Sequence, residues 1–210
     1  MPGLRERKKQ QTREAIAETA RSLFVERGFE NVRVAEIARA ADVSEKTVFN
    51  YFPTKEDLVF WRLEAFEAEI LDALRERGPG ESALAAFRRF VLTPRGLIDE
   101  DDPAARERLL GITRMITSSP ALVAREQQVF LAFTDSLARL LADETGARLD
   151  DVEPWVAANA MMGVHRALVR LSRERVLAGA TTNELQQELT AAGERALRAL
   201  EGGLGGYAVR

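Results

Sequence analysis

VRVAEIARAADVSEKTVFNYFPTKEDL, residues 32–58, decides how this chain is read. Val34, Ile37, Ala38 and Ala41 recur at the spacing of one helix face. The pattern restarts after Asp42 with Val48 and Phe52 four apart. Ser44 has the short hydroxyl side chain that caps a helix start, and Pro53 ends the segment because it cannot continue a hydrogen-bonded helix. Two short helices joined by Ala41-Asp42-Val43 make a helix-turn-helix. Aspartate tolerates the left-handed backbone of such a turn. With Val48 and Phe52 anchored on Ile37 and Phe24, the other face of the second helix presents Ser44, Glu45, Lys46, Thr47, Phe49, Asn50 and Tyr51.

Those residue types suit double-stranded DNA. A helix of this size enters a major groove about 12 Å wide. Lys46 reaches a guanine edge or a phosphate, Thr47 a phosphate or thymine, and Asn50 pairs bidentately with adenine. Tyr51 and Lys55 stand where the chain leaves the groove and are assigned to phosphate, which positions without reading sequence. Glu45 either accepts from cytosine N4 or, as is usual in a first helical turn, complements the helix dipole.

Upstream, Ile16, Ala20, Leu23 and Phe24 mark a first helix that Gly28 stops, giving a three-helix head over residues 1–55. All four lysines of the chain, Lys8, Lys9, Lys46 and Lys55, lie in this part. Arg5, Lys8 and Lys9 belong to a basic N-terminal arm that lies along the phosphates, enters the minor groove or stays mobile. A local basic footprint serves DNA even on a chain of net charge −3, because salt screens distant surface charge.

Downstream, Thr54 and Asp57 form a capping-box pattern that opens a long fourth helix, a rod running to the break at Gly78-Pro79-Gly80. Further helices are expected near 81–92, 104–117, 120–144, 151–178 and 182–201, with caps at Ser119-Pro120 and Thr181. The fold class is therefore all-α: the head plus a C-terminal bundle of five to six helices over residues 56–201, followed by a flexible glycine-rich tail at 202–210. No cysteine and a single histidine leave no thiolate metal site, no metal cluster and no Ser-His-Asp or Cys-His spacing, so an enzyme is not expected. No apolar run reaches the roughly 18 residues of a membrane span. The expected location is cytoplasmic.

The same stretch closely resembles the helix-turn-helix signature of the TetR family of bacterial regulators. The resemblance extends back through TREAIAETARSLFVERGFENV and covers roughly residues 12–60. It implies a repressor that binds palindromic operators as a homodimer and is released by a small-molecule ligand. Carried over by position, it marks Thr47, Phe49, Tyr51 and Lys55 as DNA-contacting. Three positions depart from the family pattern: Asp42 replaces the usual glycine, Phe49 the usual tyrosine, and Val34 a small hydroxyl residue. An activator, or a small-molecule-binding protein that has lost DNA binding, are the alternatives.

In the body, Leu185, Leu189, Ala192 and Ala196 form a seam on the last helix, and Gly163 with neighbouring alanines one on the helix before. Both are assigned to the dimer interface, although packing within the chain would explain the same seam. Phe66, Phe87, Phe90, Met115, Phe133, Met162 and His165 are the pocket candidates, since apolar and aromatic side chains with few polar anchors line ligand sites. Arg114 and Arg166 would serve an anionic ligand. No cofactor is expected beyond this small-molecule effector.

Overall fold

A computed structural model describes residues 4–98, 102–148 and 150–204. Among them are nine α-helices: α1 Leu4–Arg27, α2 Val34–Ala40, α3 Glu45–Tyr51, α4 Leu63–Arg75, α5 Ala83–Leu92, α6 Pro103–Ser118, α7 Pro120–Thr145, α8 Glu153–Leu177 and α9 Thr182–Leu204. Two compact units emerge, one of Met1–Glu64 with Arg114–Glu126, the other of Ala65–Thr113 with Gln127–Arg210.

The first unit is built on α1, whose Ile16, Ala17, Ala20 and Phe24 are buried against Ile37 and Ala38 of α2 and Val48 of α3 in one core. Phe52 and Leu58, each 1% exposed, extend it. Each large side chain fully buried in this way contributes about 1.5–3 kcal/mol. Gly28 ends α1 in the left-handed conformation, φ 84°, its N–H donating to Phe24 O at 2.9 Å. Two expectations are corrected. From Leu4 onward the basic segment is not an extended arm but the start of α1, a stretch of 24 residues with no glycine or proline to interrupt it. The fourth helix does not begin at Thr54. The Thr54–Asp57 box forms, with Thr54 N–H on Asp57 Oδ2 at 2.9 Å, but it caps a 3-10 turn at Glu56–Leu58. That turn buries Leu58 and Phe60, and α4 starts only at Leu63. This unit also extends past residue 55 and takes in the α6–α7 corner.

In the second unit α9 packs on α8 and α5. Gly193 allows the approach. A Cβ there would lie 2.4 Å from Leu92 Cδ2 and 3.3 Å from Leu168 Cδ1. Arg77 is the buried charge: its side chain is 1% exposed, pairs with Glu144 at 2.6 Å and donates to Leu74 O at 2.6 Å. It thereby satisfies a carbonyl at the end of α4. The capping box expected at Thr181 forms with Glu184. α9 runs on to Leu204 through Gly202 and Gly203, past the expected end at 201; the remainder of the expected tail, 205–210, lies outside the described residues.

Candidate nucleic-acid interface

The turn ahead of α3 has the expected geometry. Asp42 takes φ 54°, Val43 N–H donates to Ala38 O at 2.9 Å, and Asp42 N–H donates to Arg39 O at 3.3 Å. These bonds close the last carbonyls of α2 and turn the chain. No hydroxyl caps α2. Instead the Glu36 carboxylate folds back to accept Arg33 N–H at 2.9 Å and pairs with Arg27 at 2.7 Å. The Arg33 N–H first, and the Arg27 guanidinium second, hold that carboxyl below the usual carboxylate range.

Ser44 is the N-cap of α3. Its hydroxyl accepts Thr47 N–H at 3.0 Å and shares a hydrogen bond with Thr47 Oγ1 at 2.8 Å. Both hydroxyls are thus engaged in setting the helix start. Val48 is 1% exposed, and the Arg13 guanidinium lies 5.5 Å from the Phe52 ring centre. Held by that inner face, α3 leaves Glu45, Lys46, Phe49 and Asn50 exposed, with Thr47 and Tyr51 half-buried. Lys46, Phe49 and Asn50, at i, i+3 and i+4, share one face. Lys8 and Lys9 are exposed on α1; the Arg5 side chain lies outside the described residues.

Lys55 has a partner within the head. Its Nζ donates to Phe29 O at 2.6 Å and sits 4.2 Å above the Phe29 ring. Burial lowers the ammonium below the usual lysine range, partly offset by Glu30 and Glu56. The reason is local: with a 3-10 turn in place of a helix start, Lys55 turns back onto the head. Sequence reasoning also missed two ties in this unit. Ser119, 2% exposed, donates to Glu30 at 2.7 Å, and Arg125 pairs with Asp57 at 2.7 Å. Asp57 had signalled only a cap.

Comparison with known proteins agrees with this geometry. Residues 16–60 match the family described as bacterial regulatory proteins, tetR family, and residues 81–205 match the MftR C-terminal domain. The chain is 32% identical over 155 residues to the HTH-type transcriptional regulator TcmR of Streptomyces glaucescens, covering 71% of this chain and 67% of that one. This chain belongs to the TetR family. It is also 26% identical to the HTH-type transcriptional repressor KstR of Rhodococcus jostii, over 85% of this chain and 73% of KstR. Among solved structures, native NalD of Pseudomonas aeruginosa shares the fold with a TM-score of 0.55 at 20% identity, over 90% of this chain and 96% of NalD. A TetR-family chain with this head is a DNA-binding transcriptional regulator. Among the described residues no helix is long and apolar enough to cross a membrane.

The second unit of this TetR-family regulator gathers part of the expected pocket. Phe66 lies 5.4 Å from Phe90, 6.4 Å from Phe133 and 5.0 Å from His165, ring centre to ring centre. Phe130 joins at 6.3 Å from Phe133 and 5.5 Å from His165. Desolvation first, and Arg166 second, bring the His165 pKa down to about 4. The imidazole is neutral near pH 7. Phe87 and Met162 are buried without joining the rings, and Met115 lies in the first unit. Arg114 and Arg166 are exposed. Two open cavities of the second unit, about 390 and 600 Å³, are lined by none of the expected pocket residues.

Of the expected interface, Leu185 is 2% exposed and lies in the core of its own chain. Gly193 and Leu197 of the same helix are buried too, Gly193 against Leu92 of α5 and Leu168 of α8. Leu189, Ala192 and Ala196 are half-buried. Gly163 faces open space, since a Cβ there would meet nothing within 4 Å. On the same helix Trp155 and Val156, which are not small residues, are 52% and 54% exposed.

Proposed function

We propose that this regulator is a ligand-released repressor that acts in the cytoplasm as a homodimer on an inverted-repeat operator. The observation that carries it is the exposed Lys46–Phe49–Asn50 face of α3, on a helix fixed by a hydroxyl cap and two buried side chains. Lys46 and Asn50 read base edges, and Lys8 and Lys9 add phosphate attraction. A single head binds a half-site weakly; two-fold symmetry places a second one roughly 34–36 Å away. The open Gly163 and the exposed Trp155 and Val156 of α8 support self-association, because large apolar side chains left to water gain from being covered by a partner.

The ring cluster around neutral His165 supports a small-molecule effector held by apolar and aromatic groups, with no cofactor. Its function is binding rather than catalysis. Ligand acts by preferring the conformation that does not fit DNA, since equal affinity for both would shift nothing. The Ser119–Glu30 and Arg125–Asp57 ties give residues 114–126 a direct hold on the head.

Selection of bound duplexes from a random pool tests this reading. An inverted repeat is the expected product. Failure to enrich any sequence at low salt overturns it.

A further inference from the structure

Phe49 is the misfit on the exposed face of α3. Lys46 and Asn50 are polar and need no cover, whereas the Phe49 ring is 46% exposed. Every other described phenylalanine of the head, Phe24, Phe29, Phe52 and Phe60, is 7% exposed or less. Among the described residues the Phe49 ring meets no aromatic ring or cation. Val48 and Phe52 already fill the inner face, so the ring is left to water until an apolar surface covers it.

We propose that Phe49 reads operator sequence by covering a thymine methyl group in the major groove. The inference rests on the reading of α3 as the element that enters that groove. A phenyl ring has no hydrogen-bonding group, so neither a phosphate oxygen nor a polar base edge is its partner. The apolar feature the major groove offers is the C5-methyl of thymine. The neighbours set the place. Phe49 and Asn50 are consecutive and both exposed on α3. The thymine therefore lies near the adenine that Asn50 pairs with, on either strand. Lys46, one turn back on the same face, keeps its cation off that methyl and on a guanine or phosphate.

The test uses the full chain and the duplex it selects, with each thymine replaced in turn by deoxyuridine, which removes only the methyl. One position per half-site is expected to lose about fourfold in affinity, and about fifteenfold when both half-sites are changed, the worth of one methyl-sized apolar group at each. Phe49→Ala should bind more weakly and become indifferent to the replacement, while Phe49→Tyr, which keeps the ring, should stay sensitive. Uniform tolerance of deoxyuridine by a duplex that still binds overturns the proposal, as does equal sensitivity in the wild type and Phe49→Ala. Absence of binding to any duplex overturns the reading of α3 itself, and this inference with it.

Discussion

Helices α3 and α9 carried comparable signals and met different fates. Both showed an apolar stripe opposite a more polar face. In α3 the stripe, Val48 with Phe52 just beyond the helix, is buried by the head, and the opposite face stays open. In α9 one member of the stripe assigned to a second subunit, Leu185, is buried in the chain's own core together with Leu197 beside that stripe, at 2% and 0% exposure, while Leu189, Ala192 and Ala196 stay half-buried. Periodicity identifies an apolar face; it does not identify what covers that face. On a seven-residue helix little ambiguity remains, because two side chains exhaust the inner surface. On a 23-residue helix in a bundle, several neighbours compete for it.

The largest effect that sharpens this contrast is expected at Leu197. Leu197→Ala should lower unfolding stability by about 2–5 kcal/mol through the lost methyls and the cavity left behind. Dimer dissociation should be unchanged. Urea denaturation with sedimentation of the variant checks both. Weakened self-association with intact stability would place this face of α9 at the subunit interface instead. A smaller effect is expected at Lys55, where the head itself departs from its sequence reading. Lys55→Met loses the bond to Phe29 O and the contact with its ring, about 1–3 kcal/mol together. Because the ammonium is turned onto the head, the salt dependence of DNA binding should keep its slope. A slope shallower by about one unit would restore the phosphate contact.

The head was legible because its signals are local. Gly28 and Asp42 take left-handed conformations where sequence placed the turns, and Ser44 caps where its hydroxyl predicted. What escaped is what depends on distant partners. Asp57 reads as a cap from sequence and does cap, but its other oxygen accepts from Arg125, 68 residues away. Lys55 reads as a helix-start cation, yet Phe29 on the far side of the helix-turn-helix captures it. In the body, aromatic residues named from composition divided once packed. Phe66, Phe90, Phe133 and His165 came together with Phe130, whereas Phe87 and Met162 went to plain core. Gly193 was hidden in an alanine-rich run because only its neighbours, Leu92 and Leu168, show why it must be small.

The central claim is that the open face of α3 reads bases, and the sequence preference of Asn50→Ala tests it most directly. Selection profiles of wild type and variant, obtained with the full chain at one salt concentration, should differ at a single adenine-bearing position per half-site. Discrimination there should fall by about 1–3 kcal/mol, with the rest of the profile kept. An unchanged profile, with or without weaker binding, would contradict the account and leave Asn50 as a backbone contact.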